Sequence, residues 1–251
     1  MADIKISIVN HCTVLTDAQV HPVVDALQVQ VHRDYAPAWG IDADLMFVPK
    51  GQTPDVSTWW LVLFDDSDQA GALGYHELTP AGLPIGKVFA KTDIDNNLSW
   101  SVTASHELLE MLSDPDINLT TFVQTSNAAG FLYAYENCDA VEDDSFGYDI
   151  NGVKMSDFVL PCYFQRSMPS TKWDFCGHLK GPVPEMLSGG YLSQFSVGMP
   201  GSQTGWSQIN AQKLIGEEHI TDRTTRQVPG ARKERRAADR STWQKSTVTM
   251  F

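Results

Sequence analysis

Leu98-Ser99-Trp100-Ser101-Val102-Thr103-Ala104-Ser105-His106-Glu107-Leu108-Leu109-Glu110-Met111-Leu112-Ser113-Asp114-Pro115 is the stretch whose reading decides the fold. Its periodicity is helical from about Leu98 to Ser113. Leu98, Val102, Leu109 and Leu112 form one apolar flank, and Trp100, Ala104, Leu108 and Met111 form another. Between them runs a polar stripe of Thr103, His106, Glu107, Glu110 and Asp114. A helix apolar on two flanks is largely buried. Charged groups along its remaining stripe must then be satisfied inside the protein, because unpaired buried charge is very costly. A divalent metal is one economical partner. Asn96, Asn97 or Ser99 caps the start, and Asp114-Pro115 ends the helix, since a residue before proline leaves the helical region.

His106 and Glu110 stand four residues apart, so their side chains meet on one face. The H-E-x-x-H helix presents two zinc ligands in this way, and a carboxylate is an accepted replacement for the second His. Glu107 sits one residue round, beside the metal position, where a general base would take a proton from an activated water. A third protein ligand is needed. Asp139, Glu136 and Asp114 qualify; Asp139 is favoured over Glu136, and Asp114 is equally suited to bracing the helix end. The ordinary alternative is a buried His–Glu hydrogen-bonded pair without metal. His76-Glu77 lacks the second acid and is followed by Pro80, so it reads as a loop.

Around this helix the chain alternates strands and helices. Lys5–Asn10 alternates like a strand. Thr16-Asp17 offers caps for a helix from about Ala18 to Arg33, stopped by Ala36-Pro37-Ala38-Trp39-Gly40. Strands follow near Asp44–Val48 and at Trp59–Phe64, the latter a continuous apolar run. Pro84–Lys91 reads as a strand, at a sheet edge because it opens with Pro. Such an edge could hold an extended peptide. Later strand candidates are Phe131–Tyr135 and Phe158–Phe164. Tyr148–Met155 reads as a hairpin turned at Asn151-Gly152. Residues 182–207 are rich in Gly, Pro and Ser and are expected to be irregular. The fold class expected is α+β: a zincin-like mixed sheet with the metal-binding helix packed on it, and an irregular C-terminal half. The expected organisation is a metal-binding domain over 1–180, an irregular extension over 181–220 and a basic tail over 221–251.

Composition narrows the function classes. With 251 residues, 42% hydrophobic, the chain can bury a sizeable core. It has no run of 18 apolar residues, so no membrane-spanning helix is expected. Its start lacks a signal-peptide pattern, which predicts a cytoplasmic or virion-associated protein. Cys12, Cys138, Cys162 and Cys176 match no zinc-ribbon spacing and read as reduced thiols, although Cys162 and Cys176 could bridge in an oxidising compartment. The net charge is −13, yet from Arg223 to Lys245 eight Lys/Arg face only Glu234 and Asp239. That basic tail suits an acidic partner surface or assembly into a larger complex, with Trp243 and Phe251 as apolar anchors. The acidic run Glu136, Asp139, Glu142, Asp143, Asp144, Asp149 reads beyond Asp139 as a solvated loop; its spacing does not follow a calcium-binding EF-hand. Tyr133, Tyr135, Tyr148 and His178 are candidate oxyanion donors. Ser105 lacks a nucleophile-elbow context and reads as a small helix residue.

Ser105-His106-Glu107-x-x-Glu110-x-x-x-Asp114-Pro115 followed by Glu136-x-x-Asp139 resembles a group of bacterial and phage zincin-like metallopeptidases with S-H-E-x-x-E-x-x-x-D-P and a later E-x-x-D. Similar strings occur in exordium-type proteins. The resemblance covers roughly Trp59 to Phe164. It implies that His106 and Glu110 hold zinc, that Glu107 is the base, and that Glu136 or Asp139 completes the site. It further implies a peptide or protein substrate. At Glu110 the chain departs from gluzincins, which carry a second His there; a second anionic ligand makes zinc less electrophilic.

Overall fold

In the computed structural model, which describes residues 2–69, 72–198 and 205–211, the first half of the chain builds one five-stranded mixed sheet. Strand β1 (Ile4–Asn10) leads into helix α1 (Asp17–Val29). The Thr16 N–H donates to the Gln19 side chain (2.8 Å), which closes the helix start. The helix does not stop before Ala36. It widens into a π-helical turn over Gln30–Tyr35, continues as α2 (Ala36–Trp39), and ends at Gly40 with φ +70°, the left-handed cap that glycine favours. Then come β2 (Ala43–Val48), β3 (Trp59–Phe64), β4 (Gly74–Leu78) and β5 (Pro84–Phe89). The strand order is β2-β1-β3-β5-β4, parallel except for β4, which runs antiparallel to β5.

Two expectations are corrected here. His76-Glu77 lies in a strand, not a loop, and that strand, β4, is an edge of the sheet. Pro84–Phe89 is interior, between β3 and β4. Proline is tolerated because it is the first residue of β5, where the missing N–H costs least.

Strand alternation sorts side chains to two faces. Ile6, Ile8, Leu61, Leu63 and Val88 pack against Val20, Val24 and Leu27 of α1 and against Ala104, Leu108, Leu109, Met111 and Leu112 of the helix α4 (Trp100–Ser113). Val9, Val48, Val62 and Ile85 form a smaller cluster of their own. The register pairs His76 with Gly86 and Gly74 with Val88, whereas Tyr75 pairs with Lys87 and Glu77 with Ile85. His76 and Gly74 therefore face α4. Tyr75, Glu77 and Lys87 face the other way, where Lys87 Nζ meets Tyr75 Oη (2.6 Å), Asp68 Oδ2 (2.8 Å) and Glu77 Oε1 (3.3 Å). A short helix α3 (Ala90–Asp95) joins β5 to α4.

Beyond α4 a second, antiparallel sheet forms from β6 (Thr120–Gln124), β7 (Gly130–Ala134), β10 (Tyr191–Val197) and β11 (Trp206–Asn210), in the order β11-β10-β7-β6. Residues 182–207 are thus not wholly irregular; backbone pairing with β7 overrides their Gly/Pro/Ser composition. The hairpin β8 (Tyr148–Ile150) and β9 (Val153–Met155) turns at Asn151 (φ +52°) and Gly152 (φ +81°), as the sequence predicts. Phe158–Phe164 is not a strand. Val159 makes one isolated bridge to Asp174, and Pro161, at a helix N-terminus where its lost donor is harmless, starts the single-turn α5 (Pro161–Phe164). All four cysteines are free thiols, so Cys162 and Cys176 do not bridge. Among the described residues, no helix is long and apolar enough to cross a membrane. The tail Arg223–Lys245, with Trp243 and Phe251, lies outside the described residues. The molecule is a mixed α/β protein with a mixed sheet and few helices.

Candidate metal centre

Helix α4 starts at Ser99, whose N–H donates to Asp144 Oδ2 (2.8 Å). It ends at Asp114, whose N–H reaches Glu110 O. The Asp114 carboxylate accepts from the N–H groups of Asn118 (3.0 Å) and Leu119 (3.1 Å). It thereby holds the exit turn, in which Ile117 takes φ +55°, a costly conformation for a β-branched residue. Asp114 is thus used as a brace and takes no part in the ligand-type groups one turn back.

There, His106, Glu107 and Glu110 are all buried. The helix approaches the sheet closely because Gly74 and Gly86 lie opposite it. A Cβ at Gly86 would lie 2.5 Å from Leu61 Cδ1 and 3.7 Å from Glu107 Cβ. Two triads meet in the space between, and Glu110 belongs to both. His106 Nε2 lies 3.3 Å from Glu110 Oε1 and 3.2 Å from Asp139 Oδ1. His76 Nδ1 lies 3.8 Å from Glu110 Oε2 and 3.5 Å from Glu107 Oε2, and its Nε2 lies 4.0 Å from Glu136 Oε2. In each triad, His106–Glu110–Asp139 and His76–Glu110–Glu136, three donor atoms fall within 4.8 Å of one another. Glu136 is therefore grouped with His76, and Asp139 with His106.

The E-x-x-D segment is held from both sides. The Cys138 N–H donates to Glu110 Oε1 (3.2 Å), and Asn137 Nδ2 donates to Leu109 O (3.2 Å) and Tyr35 Oη (2.9 Å). From the turn before β10 the Leu187 N–H donates to Ala140 O (2.8 Å), and from β10 itself the Tyr191 side chain hydrogen-bonds Asp139. Behind α4, Ser105 Oγ donates to Gln30 Oε1 (2.7 Å) and accepts from the Ser156 N–H (3.1 Å). Gln30 sits in the π-helical turn, so the widened turn serves to brace the residue beside His106.

The electrostatics are those of crowded anions. Burial, then the neighbouring Glu110, push the Asp139 carboxyl up to about 7. Burial pushes Glu142 up to about 8. Burial disfavours charge on His106, but Glu110 and Asp139 outweigh it and raise its pKa. Four buried carboxyl groups (Glu107, Glu110, Glu136, Asp139) around two imidazoles leave a deficit of positive charge that a divalent cation would reduce.

Comparison with protein-family models, curated proteins and solved structures returned no match for this chain. Its own side chains therefore carry the functional reading.

Sequence reading missed His76, whose strand is too short to announce itself, and Tyr191, some fifty residues beyond Asp139. A His-Glu pair in a five-residue segment between turns was the available signal for the first; nothing local marks the second. The four candidate oxyanion donors have these surroundings: Tyr148 Oη donates to Asp34 Oδ2 (2.9 Å), Tyr135 stacks on Phe164, Tyr133 is buried in the second core, and His178 lies beside Asp157 and Asp174. Of the acidic run, Asp143 and Asp144 accept N–H donors from Ser145 and Ser99.

Proposed function

We propose that this protein is a zinc-dependent hydrolase of the zincin-like type, acting on peptide bonds, with His106, Glu110 and Asp139 holding the metal and Glu107 as general base. The observation that carries the reading is the convergence of His106 Nε2 with one oxygen each of Glu110 and Asp139. The 3.2–3.3 Å separations match the edge of a tetrahedron with arms of about 2.0–2.1 Å, the length of zinc bonds to imidazole and carboxylate. Asp139 Oδ1 is buried and accepts no well-aligned hydrogen bond, so it has capacity for a cation. Zinc, when bound, would lower the pKa of a coordinated water and polarise a carbonyl.

The chain's own residues do the rest. Glu107, one residue round from His106, is beside the metal position and takes the proton. His76 Nδ1 faces that carboxylate, 3.5 Å from Glu107 Oε2, and lies 3.8 Å from Glu110 Oε2. Tyr191 and the Cys138 N–H orient Asp139 and Glu110, as outer partners of ligands do. The mixed sheet with α4 packed on it supports the zincin-like assignment. An extended peptide adding to this sheet beside α4's polar stripe would add at β4, the edge strand that carries His76, rather than at Pro84–Lys91.

Metal analysis tests the reading: zinc bound by the wild-type chain and reduced by about one ion in His106→Ala. Glu107→Gln should retain zinc and lose cleavage of an unfolded protein substrate. Full cleavage by Glu107→Gln would rule out the assigned base. A zinc-binding protein with no cleavage at all would instead favour a zincin-like interaction module, cytoplasmic or virion-associated. The two anionic ligands Glu110 and Asp139, which make a metal less electrophilic, favour that second reading.

A further inference from the structure

A second constellation of ligand-type side chains lies outside the HExxE centre. Asp157, which follows β9, is fully buried. Its Oδ1 accepts from the N–H groups of Phe158 (2.8 Å) and Cys176 (3.0 Å). Those two bonds hold the carboxylate through Oδ1. Oδ2 is inaccessible to solvent and accepts no well-aligned hydrogen bond. It faces His178 Nδ1 at 3.5 Å, and Cys176 Sγ completes a group whose three donor atoms lie within 4.8 Å of one another. Asp174, also fully buried, backs the group: its Oδ1 accepts from the Leu179 N–H (2.9 Å) and its Oδ2 from the His178 N–H (2.7 Å), with Oδ2 3.6 Å from His178 Nδ1.

We infer that Asp157 Oδ2, Cys176 Sγ and His178 Nδ1 form a second, independent site for a zinc-class divalent cation, with Asp174 or a water in the fourth position. The donor chemistry selects the metal. A thiolate, an imidazole and a carboxylate suit borderline-soft, tetrahedral ions and exclude magnesium or calcium, which take oxygen. The 3.5 Å separation of Asp157 Oδ2 and His178 Nδ1 is the edge of a tetrahedron with arms of about 2.1 Å. Two buried carboxylates side by side, without a buried Lys or Arg bonded to either among the described residues, share a proton in the metal-free protein, and a cation would displace that proton and take its place. The pattern Asp174-x-Cys176-x-His178 brings three of the groups from one short loop, and Asp157 brings the fourth from another.

The site ties loop 174–179 to the segment Ser156–Val159. That segment also donates Ser156 N–H to Ser105 Oγ, beside His106, and Val159 N–H to Asn137 O (2.7 Å), beside Asp139. A cation here would therefore fasten the frame behind the first centre. The His178 side chain is 41% exposed, which gives the ion a way in and makes this site the more easily stripped.

Cobalt substitution of the full chain tests the inference, because among the ligand groupings of the described residues this one contains a cysteine, and the Cys176→Ser variant separates it from Cys138 near His106. Cobalt-loaded wild-type protein should show a thiolate-to-cobalt charge-transfer band. The band should persist in His106→Ala, disappear in Cys176→Ser, and weaken in His178→Ala. A band that survives Cys176→Ser, or no band in the wild type, overturns the inference. Should Cys176→Ser fail to fold, alkylation of the native wild type read out by mass spectrometry decides: zinc should slow modification of Cys176 at least tenfold, reversed by chelator. Equal modification with and without zinc sinks the site. Protection of Cys176 together with a zinc content unchanged by His106→Ala would leave this site standing while removing the hydrolase reading.

Discussion

Gly74 makes room for Glu107: a Cβ built on strand β4 at position 74 would lie 2.8 Å from Glu107 Cγ, 2.9 Å from Glu107 Oε1, and 2.8 Å from Thr103 Cγ2. The backbone there does not need glycine's dihedral freedom; the space does. The edge strand thus presses on the assigned base itself.

Gly74→Ala should displace the Glu107 carboxylate without touching His106, Glu110 or Asp139. We expect cleavage to fall at least tenfold while zinc content is retained, with a stability loss of about 1–3 kcal/mol from overpacking. Activity assay, metal analysis and denaturant unfolding on the same preparation check it. Undiminished turnover would mean that Glu107 is not the base, or that α4 slides at no cost.

Tyr191→Phe removes the hydroxyl that hydrogen-bonds Asp139 and keeps the ring. Outer-shell partners of metal ligands typically contribute about 10–100-fold in affinity. Zinc affinity, measured by chelator competition at a fixed pH, should weaken by a factor in that range. An unchanged affinity would place Asp139 outside the coordination set.

Ser105→Ala separates scaffold from chemistry. The Ser105 hydroxyl is fully buried and joins Gln30 to Ser156. Its loss strands a backbone N–H and an amide oxygen, at a cost of about 1–3 kcal/mol. Unfolding in urea should show that loss, whereas turnover per folded molecule should be nearly unchanged. A thousandfold drop in turnover would instead revive Ser105 as a participant in the reaction.

Asp93 predicts a pH dependence away from either centre. It is fully buried, its Oδ1 accepts from Thr103 Oγ1 (3.0 Å), and its Oδ2 is without a hydrogen bond. Burial is the main cause that lifts its carboxyl from 3.8 to about 7. The folded state then binds the proton more tightly than the unfolded state. Its contribution is present below about pH 4, is lost as pH rises to about 7, and is level above that. Asp93→Asn should match the wild type near pH 4 and exceed it by about 2 kcal/mol at pH 8, since a tenfold change in proton affinity is worth about 1.4 kcal/mol and relaxation returns part of it. Parallel stability curves for the two proteins across that range would contradict the burial argument.

Local chemistry wrote part of this protein openly. Helix α4 and its polar stripe are legible because a 3.6-residue period needs only neighbours in the chain. The same holds for β1, β2 and β3, for the Asn151-Gly152 turn, and for the pairing of His106 with Glu110 one turn apart. The hydrophobic core followed, since α1 and α4 bring their apolar faces to one side of the sheet.

Tertiary structure decided what those neighbours could not. His76 joins Glu107, Glu110 and Glu136 only because β4 pairs with β5 in the register that sets His76 opposite Gly86; a one-residue slip would turn it to the far face. Asp139 rather than Glu136 meets His106 because the Cys138 N–H is tied to Glu110 and Ala140 O to Leu187, contacts that span dozens of residues. Asp157 finds Cys176 and His178 across a loop with no periodic signal. A helix repeats its geometry at every turn and so announces itself in sequence, whereas the meeting of side chains from separate elements depends on register and packing that exist only once the chain has folded.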